Sequence, residues 1–171
     1  MTMDLQLPHG AWSVDANASH ARFTAATLGG LVKTAGHFRS VSGNLTVEPS
    51  GAAGVLTIDA ASIDTGNRFR DRHLRTRDFF AVSEHPELRY ELHAVTRAGE
   101  DKLRLEGQLT IAGTPTALPL DADLRIDDDT TLEISARTEV DRVALGLRGA
   151  RGMVSRAVEL DIRVVLRHSQ G

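Results

Sequence analysis

The stretch LRLEGQLTI, residues 103–111, has leucine, glycine or isoleucine at every odd position and a charged or polar residue at every even position. Side chains of a β-strand point alternately to its two faces, so this pattern predicts a strand with one apolar face and one wet face. The same alternation, stronger in some segments than in others, recurs at residues 21–25, 41–47, 56–62, 88–94, 118–126, 132–140 and 158–166.

Turn signals rich in Gly, Pro, Asp or Ser separate these segments at residues 49–51, 98–101, 113–115 and 127–129. Short loops between one-sided strands indicate antiparallel neighbours. No segment has the length and period of a long amphipathic helix. The apolar faces are buried either by stacking two sheets or by closing one sheet into a barrel, and the periodicity favours the barrel only slightly.

The composition is that of an ordinary globular domain. A chain of 171 residues is long enough for one domain with a core. The net charge of −3 argues against a nucleic-acid surface. Because the chain has no cysteine, disulfides, thiolate metal sites and a cysteine nucleophile are excluded.

The scarcity of aromatic residues, 4% of the chain, bears on how a barrel would be filled. A barrel of about eight strands is just wide enough to be filled by side chains or to hold one small ligand. An empty apolar void of roughly 300 Å³ would cost on the order of 7 kcal/mol, which rivals the ~5–15 kcal/mol net stability of a domain. We therefore expect such a space to be collapsed or occupied, with an apolar occupant as the simplest hypothesis.

The N-terminal residues MTMDLQLPHGAW contain no basic segment followed by an apolar run of the kind that signal peptides have. Nothing later in the chain approaches the ~18 continuous apolar residues of a membrane span. Taking the sequence as complete, we expect a cytoplasmic protein without a membrane span.

The segment SIDTGNRFRDRHLRTRDFF, residues 62–80, breaks the strand pattern with five arginines and ends on Phe79-Phe80. Asn67 is a suitable N-cap and Pro86 ends the segment, so we predict a short helical crossover near residues 67–83. In one interpretation its aromatic residues seal a barrel mouth while its arginines stay in water. In the other, Arg70 and Arg75 bind an anionic headgroup, because guanidinium groups suit phosphate and carboxylate.

The same segment resembles the signature of the YceI-like, polyisoprenoid-binding family, through Ser62-Ile63-Asp64-Thr65-Gly66-Asn67, Arg70-Asp71, His73-Leu74-Arg75 and Asp78-Phe79-Phe80. Weaker matches occur in the family's order along nearly the whole chain. They are Trp12-Ser13-Val14-Asp15, Gly36-His37-Phe38, the segment 107–113 with Leu118-Pro119-Leu120, and Val140-Asp141-Arg142 with Gly146-Leu147.

The resemblance implies an all-β fold: a single antiparallel, lipocalin-like β-barrel with a deep apolar tunnel. It places this domain at residues 11–168, after an N-terminal extension at residues 1–10. Family members bind long isoprenoid chains such as prenyl phosphates or quinones, and some are homodimers. The expected partner is an apolar small molecule, and no catalytic residue or cofactor is attached to the family signature.

Apolar residues of the inward parity, together with the aromatic residues of the crossover, are the candidate ligand-binding residues. They are Phe23, Leu45, Leu56, Ile58, Phe79, Phe80, Leu105, Leu109, Ile111, Leu120, Ile134, Leu160 and Ile162.

Enzymatic function is not predicted. The sequence contains no nucleophile elbow, phosphate loop, dinucleotide fingerprint or histidine pair at helical spacing. The predicted function is binding, sequestration or transport of a long apolar ligand. Two alternatives stay open: an interaction module with a filled barrel, and a cyclase or isomerase that acts on a bound polyene.

Overall fold

The computed structural model describes residues 7–27, 31–77, 79–147 and 154–169. These residues form twelve β-strands and one short α-helix. The strands are β1 (Gly10–Val14), β2 (His20–Thr27), β3 (Val32–Phe38), β4 (Val41–Glu48), β5 (Gly51–Asp59), β6 (Ile63–Asp64), β7 (Glu87–Gly99), β8 (Lys102–Ile111), β9 (Thr114–Ala117), β10 (Leu120–Asp128), β11 (Thr131–Asp141) and β12 (Val154–His168). The helix α1 spans Arg68–Leu74.

Eight strands close into the predicted antiparallel barrel in the order β1-β4-β5-β7-β8-β10-β11-β12, and β12 pairs back with β1. The prediction of a barrel rather than a sandwich is therefore confirmed. At three positions of the ring, a second strand extends the first beyond a short break. β2 extends β1, β3 extends β4, and β6 extends β5. β9 forms a short hairpin with β8.

The barrel has two different ends. The turn end carries the β4–β5, β7–β8 and β10–β11 connections at residues 49–50, 100–101 and 129–130. The helix end carries α1, the β2–β3 hairpin and the start of β12, where Val154 pairs with Thr27. β6 runs antiparallel to β3 and leads toward the β2–β3 connection, so α1 follows at that same end.

The side chains that the alternating pattern predicts to face inward do face the barrel interior. In β8 the side chains of Leu103, Leu105, Leu109 and Ile111 are buried. The turn predicted at residues 113–115 lies slightly earlier: the chain reverses at Ala112-Gly113, with φ of 48° and 79°, and residues 114–117 form β9. Pro115 fits this short strand because it pairs at a sheet margin, where a missing amide is tolerated.

Two apolar clusters fill the two ends of the barrel. The cluster near the turn end surrounds Trp12, which is 1% exposed, and includes Leu7, Leu103 and Leu132. Leu7 is buried and Gly10 belongs to β1, so this part of the predicted N-terminal extension packs with the barrel. The cluster near the helix end contains Phe38, Ile63, Phe79, Phe80, Ile111, Val140 and Leu145.

The crossover contains the predicted helix in shortened form. Asn67 caps α1 by accepting hydrogen bonds from the amides of Phe69 and Arg70, at 3.0 and 3.1 Å. Phe79 and Phe80 are buried beneath it, as a seal requires. Phe69, in contrast, is 83% exposed, because the first turn of α1 projects away from the barrel. Asp78 lies outside the described residues.

Candidate ligand-binding cavity

A cavity of about 120 Å³ lies between the two apolar clusters. All eight strands of the ring, together with the connection before β10, contribute residues to its wall. The lining residues are Val14, Asn44, Leu45, Gly54, Val55, Leu56, Ile58, Tyr90, Leu92, Leu105, Leu109, Leu118, Leu120, Ile134, Ala136, Leu160, Ile162, Val164 and Leu166. Many of these inward side chains are only half-buried, because they face open space rather than a packed neighbour.

Nine of the candidate ligand-binding residues border this cavity: Leu45, Leu56, Ile58, Leu105, Leu109, Leu120, Ile134, Leu160 and Ile162. The other four, Phe23, Phe79, Phe80 and Ile111, lie outside its wall in or against the cluster at the helix end. They close the interior on that side. The deep tunnel that the resemblance implies is, in this structure, a short cavity between two packed ends.

Several wall residues were not among the candidates. Val164, Leu166 and Ala136 share the inward parity of their strands, so the alternation alone could have identified them. Leu118 shares the inward parity of the segment 118–126, whereas Val14 flanks a break between strands, where a parity assignment loses its reference. Tyr90 has the same parity as Leu88 and Leu92 in the segment 88–94, so the weaker alternation of that segment also points to it.

Tyr90 contributes the aromatic ring of the cavity wall. Its hydroxyl donates a hydrogen bond to the carbonyl oxygen of Leu118 at 2.8 Å. The ring lies over Gly107, where an added Cβ would come within 2.5 Å of it. Burial, helped by the Glu106 carboxylate, raises the pKa of Tyr90 to about 12, so the phenol is neutral at ordinary pH.

The wall is otherwise apolar, and this restricts the kind of ligand that the cavity can hold. Of the lining residues that the structure describes, only Asn44 and Tyr90 are polar. The Tyr90 hydroxyl is already bonded to the backbone. A charged group placed here would find no counter-charge, whereas a hydrocarbon replaces water or empty space at no electrostatic cost.

The size of the cavity sets the length of a guest. An engineered apolar cavity of about 150 Å³ binds benzene, and drug-sized ligands occupy about 300–1,000 Å³. At 120 Å³ the present cavity accepts one short hydrocarbon segment. Left empty, it would cost about 3 kcal/mol at ~24 cal/mol per Å³, less than the ~5–15 kcal/mol net stability of a domain.

An aromatic stack closes the helix end. The rings of Phe23 and Phe38 lie 5.8 Å apart between centroids, and those of Phe38 and Phe80 lie 5.7 Å apart at right angles. Gly36 makes room for this stack, because a Cβ there would come within 2.4 Å of the Phe23 ring. The stack therefore fixes the boundary of the cavity on this side.

Arg70 and Arg75 belong to the crossover and do not line the cavity. Arg70 donates to the Thr65 hydroxyl at 2.7 Å and to the Thr65 carbonyl at 2.8 Å. Arg75 donates to the carbonyls of Ala61 and Ile63 at 3.0 and 3.4 Å. Each guanidinium uses two of its five donors on the backbone or side chain of residues 61–65.

A buried arginine holds the loop after β11 at the same end. Arg142 is 6% exposed and donates to the carbonyls of Leu147, Val154 and Ser155 at 2.7–3.0 Å. Burial lowers its pKa from the usual value of an arginine. The neighbouring Asp141 pairs with Arg156 at 2.8 Å, and that bond lowers the pKa of the carboxyl.

Neither a metal site nor a membrane-spanning helix is found in the described part of the chain. Residues 7–27, 31–77, 79–147 and 154–169 bring together no group of three or more His, Asp or Glu side chains that could hold a metal. In those ranges no helix is long and apolar enough to cross a membrane.

A sequence model of the YceI-like domain matches residues 12–166. The chain belongs to the YceI-like family. The match begins at the buried Trp12 and ends at Leu166, so it includes the crossover and at least part of each strand of the closed ring. The resemblance inferred from the arginine-rich segment is thereby confirmed.

Sequence relatives of this YceI-like chain include a UPF0312 protein of Pectobacterium carotovorum subsp. carotovorum, which is 35% identical over 92 residues. That match covers 52% of the chain and 47% of the relative. The chain thus spans about half the length of the curated relatives that it matches first.

Solved structures with the same fold include BcnA of Burkholderia cenocepacia, with a TM-score of 0.79 and 22% identity over 89% of this chain and 98% of that one. A polyisoprenoid binding domain from Saccharophagus degradans, implicated in plant cell wall breakdown, also has a TM-score of 0.79, with 18% identity over 92% and 98% of the two chains. At these identities the likeness establishes the YceI-like barrel.

Proposed function

We propose that this barrel binds one apolar chain, such as a polyisoprenoid lipid, a prenyl phosphate or a quinone, and so sequesters or carries it. The observation that supports the proposal most directly is the almost wholly apolar cavity inside the barrel, with half-buried wall residues. The structural neighbour described as a polyisoprenoid binding domain gives the chemical class of the guest.

The binding energy available from the cavity as it stands is too small for a tight complex. Filling it with about five carbon atoms would contribute about 4 kcal/mol at ~0.8 kcal/mol per CH₂. Micromolar affinity requires about 8 kcal/mol, before the cost of immobilising the chain. A long guest must therefore widen the cavity, by displacing side chains that now fill its ends.

Binding rather than catalysis is proposed because, among the residues that the structure describes, only Asn44 and Tyr90 bring polar side chains to the cavity wall. The Tyr90 phenol, with its raised pKa and its bond to Leu118, is poorly suited to give up a proton near neutral pH. Turnover of a bound polyene would support the alternative of a cyclase or isomerase.

The test is extraction of the purified protein with organic solvent, followed by mass spectrometry, and then uptake of added prenyl alcohol by the emptied protein. Ile134→Phe places extra volume in the cavity and is expected to weaken uptake at least tenfold. Arg137→Phe, on the outer face of the same strand, is the matched control and should bind normally. A folded Ile134→Phe variant with unchanged uptake would show that the guest does not occupy this cavity.

A headgroup contact by Arg70 or Arg75 is a finer part of the proposal. The free donors of each guanidinium are available to a phosphate, although the other donors are held by residues 61–65. In the same assay, Arg70→Ala should reduce the affinity for prenyl phosphate relative to prenyl alcohol. An unchanged ratio would leave Arg70 with a structural role only.

A further inference from the structure

We propose that the helix end of the barrel docks on the surface of an anionic phospholipid membrane. The docking surface consists of Leu31, Lys33, Arg68, Phe69 and Arg72, and we call it the basic rim. All five residues are exposed, with Leu31 at 88% and Phe69 at 83%. The inference goes beyond ligand binding, since it concerns an outer surface and holds with or without a guest.

The topology places the members of the basic rim at one end of the molecule. Lys33 is the second residue of β3, and Leu31 comes directly before that strand, beside the β2–β3 connection. β6 pairs with the other end of β3, through His37 with Asp64 and Phe38 with Ile63, and runs back toward that connection. Thr65 contacts the position of Gly36, and α1 starts three residues later. The hairpin and the first turn of α1 therefore project from the same rim.

The basic rim is positively charged although the chain as a whole has a net charge of −3. Residues 67–82 carry five arginines against Asp71 and Asp78, a formal charge of +3. Among these arginines, Arg70 and Arg75 bond to residues 61–65, and Arg77 pairs with Glu84 at 2.9 Å. No described carboxylate forms an ion pair with Arg68 or Arg72.

The opposite end of the barrel has the opposite charge. Exposed carboxylates outnumber the cations Lys102 and Arg125 at or beside its three turns: Glu48, Glu100, Asp101, Asp128, Asp129 and Asp127, the last of which pairs with Arg125 at 2.9 Å. The molecule is thus polarised along the barrel axis. Near an anionic membrane, the molecule would be oriented with the helix end toward the membrane and the turn end toward the water.

The side chains of the basic rim fit a lipid surface better than a protein partner. A stable protein interface needs roughly 1,000 Å² of complementary surface. Leu31 and Phe69 are instead single apolar side chains that stand among cations, an arrangement suited to a bilayer interface, where the apolar group inserts and the cations meet the headgroups.

Sedimentation with vesicles tests the proposal. The ligand-free protein is mixed with vesicles of phosphatidylcholine alone, or of phosphatidylcholine with about one-third phosphatidylglycerol, at low and high salt. We expect binding to the anionic vesicles only, and loss of that binding at high salt. Arg68→Gln with Arg72→Gln should weaken it roughly twenty-five-fold, at about fivefold per charge. Phe69→Gln should weaken it without changing its dependence on salt.

The matched control is Arg22→Gln with Arg137→Gln, which removes two charges from exposed positions on the barrel wall. This variant should bind as the unchanged protein does. Equal loss in the two double variants, or absence of binding to anionic vesicles, would overturn the proposal. Salt-sensitive self-association without vesicles that requires Arg68 and Arg72 would also overturn it, in favour of contact with the acidic turn end of a second copy. Because the vesicles contain no isoprenoid, the result is independent of the proposed ligand binding.

Discussion

Tyr90 combines a structural bond with a place on the wall of the cavity. Its hydroxyl holds the carbonyl of Leu118, and its ring occupies the space that Gly107 leaves free. No aliphatic residue could do both, because the phenol reaches over Gly107 of the neighbouring β8 to the connection before β10 and carries the donor at its tip. The cavity is thus limited on this side by one polar side chain rather than by a packed cluster.

The pKa of Tyr90 gives a prediction at the scale of this residue. A phenol whose pKa is about 12 in the folded state and about 10 unfolded stabilises the fold while it is protonated. That contribution is fully present below about pH 10 and is lost as the pH rises toward 12. Tyr90 is the one tyrosine of the chain, so ultraviolet absorbance of tyrosinate reports it alone. We expect its midpoint near 12 in folded protein and near 10 in denaturant; a midpoint near 10 in both would contradict its burial.

Asp71 organises the crossover at the scale of the element. It is 7% exposed, and its Oδ1 accepts the Thr65 amide at 2.9 Å and the Thr65 hydroxyl at 2.5 Å. Thr65 in turn accepts from Arg70, so one carboxylate joins the end of β6 to α1. The Arg70-Asp71 pair of the sequence signature is therefore explained by a local hydrogen-bond network.

Removing this carboxylate should loosen the crossover. Asp71→Ala leaves the Thr65 donors without their acceptor, so we expect it to lower the free energy of unfolding by about 1–3 kcal/mol. Each kcal/mol corresponds to about 2–4 °C in the thermal midpoint for a chain of this size. Asp71→Asn keeps an acceptor and should lose less, and the exposed Arg72→Ala should change the midpoint little. An Asp71→Ala midpoint equal to that of Arg72→Ala would refute this role.

The strands with strict alternation could be predicted from the sequence, and those without it could not. β8, β10, β11 and β12 follow the period of two, so their inward residues and much of the cavity wall were identified. β3 could not be predicted because Gly36 interrupts the alternation of apolar residues. Gly36 faces inward, and the Phe23 ring occupies the space that a side chain at this position would need. β9 was missed because Pro115 looks like a turn residue, although its strand is short and marginal.

The extent of the cavity could not be predicted from the sequence for a related reason. Parity gives the direction of a side chain but not the distance it reaches across the barrel. Phe79 and Phe80 pack into the end cluster instead of lining the space, and Tyr90 reaches into it from β7. How much of the interior stays open depends on these few large rings, whose positions follow from the closed ring as a whole.

At the scale of the whole molecule, a guest needs a way through a ring of strands that has no free edge. One weakly paired part of the wall beside the cavity lies between β8 and β10. β10 pairs with β8 only from Leu120 to Asp123, and β9 pairs with β8 only from Thr114 to Ala117. Between them, the Leu118 amide donates to Gly107 at 2.9 Å, and Pro119 has no amide to donate.

Tyr90 reinforces this junction through its bond to the Leu118 carbonyl, so we predict that it controls entry of the guest. Tyr90→Phe keeps the ring over Gly107 but removes the bond, and should speed amide hydrogen exchange at residues 117–121 by about fivefold, as expected for a loss of about 1 kcal/mol. Uptake of prenyl alcohol should accelerate by a similar factor, while exchange in the long β11–β12 pairing stays unchanged. Faster exchange at residues 117–121 with an unaltered uptake rate would mean that the guest enters elsewhere, since opening at this junction would then not limit its passage.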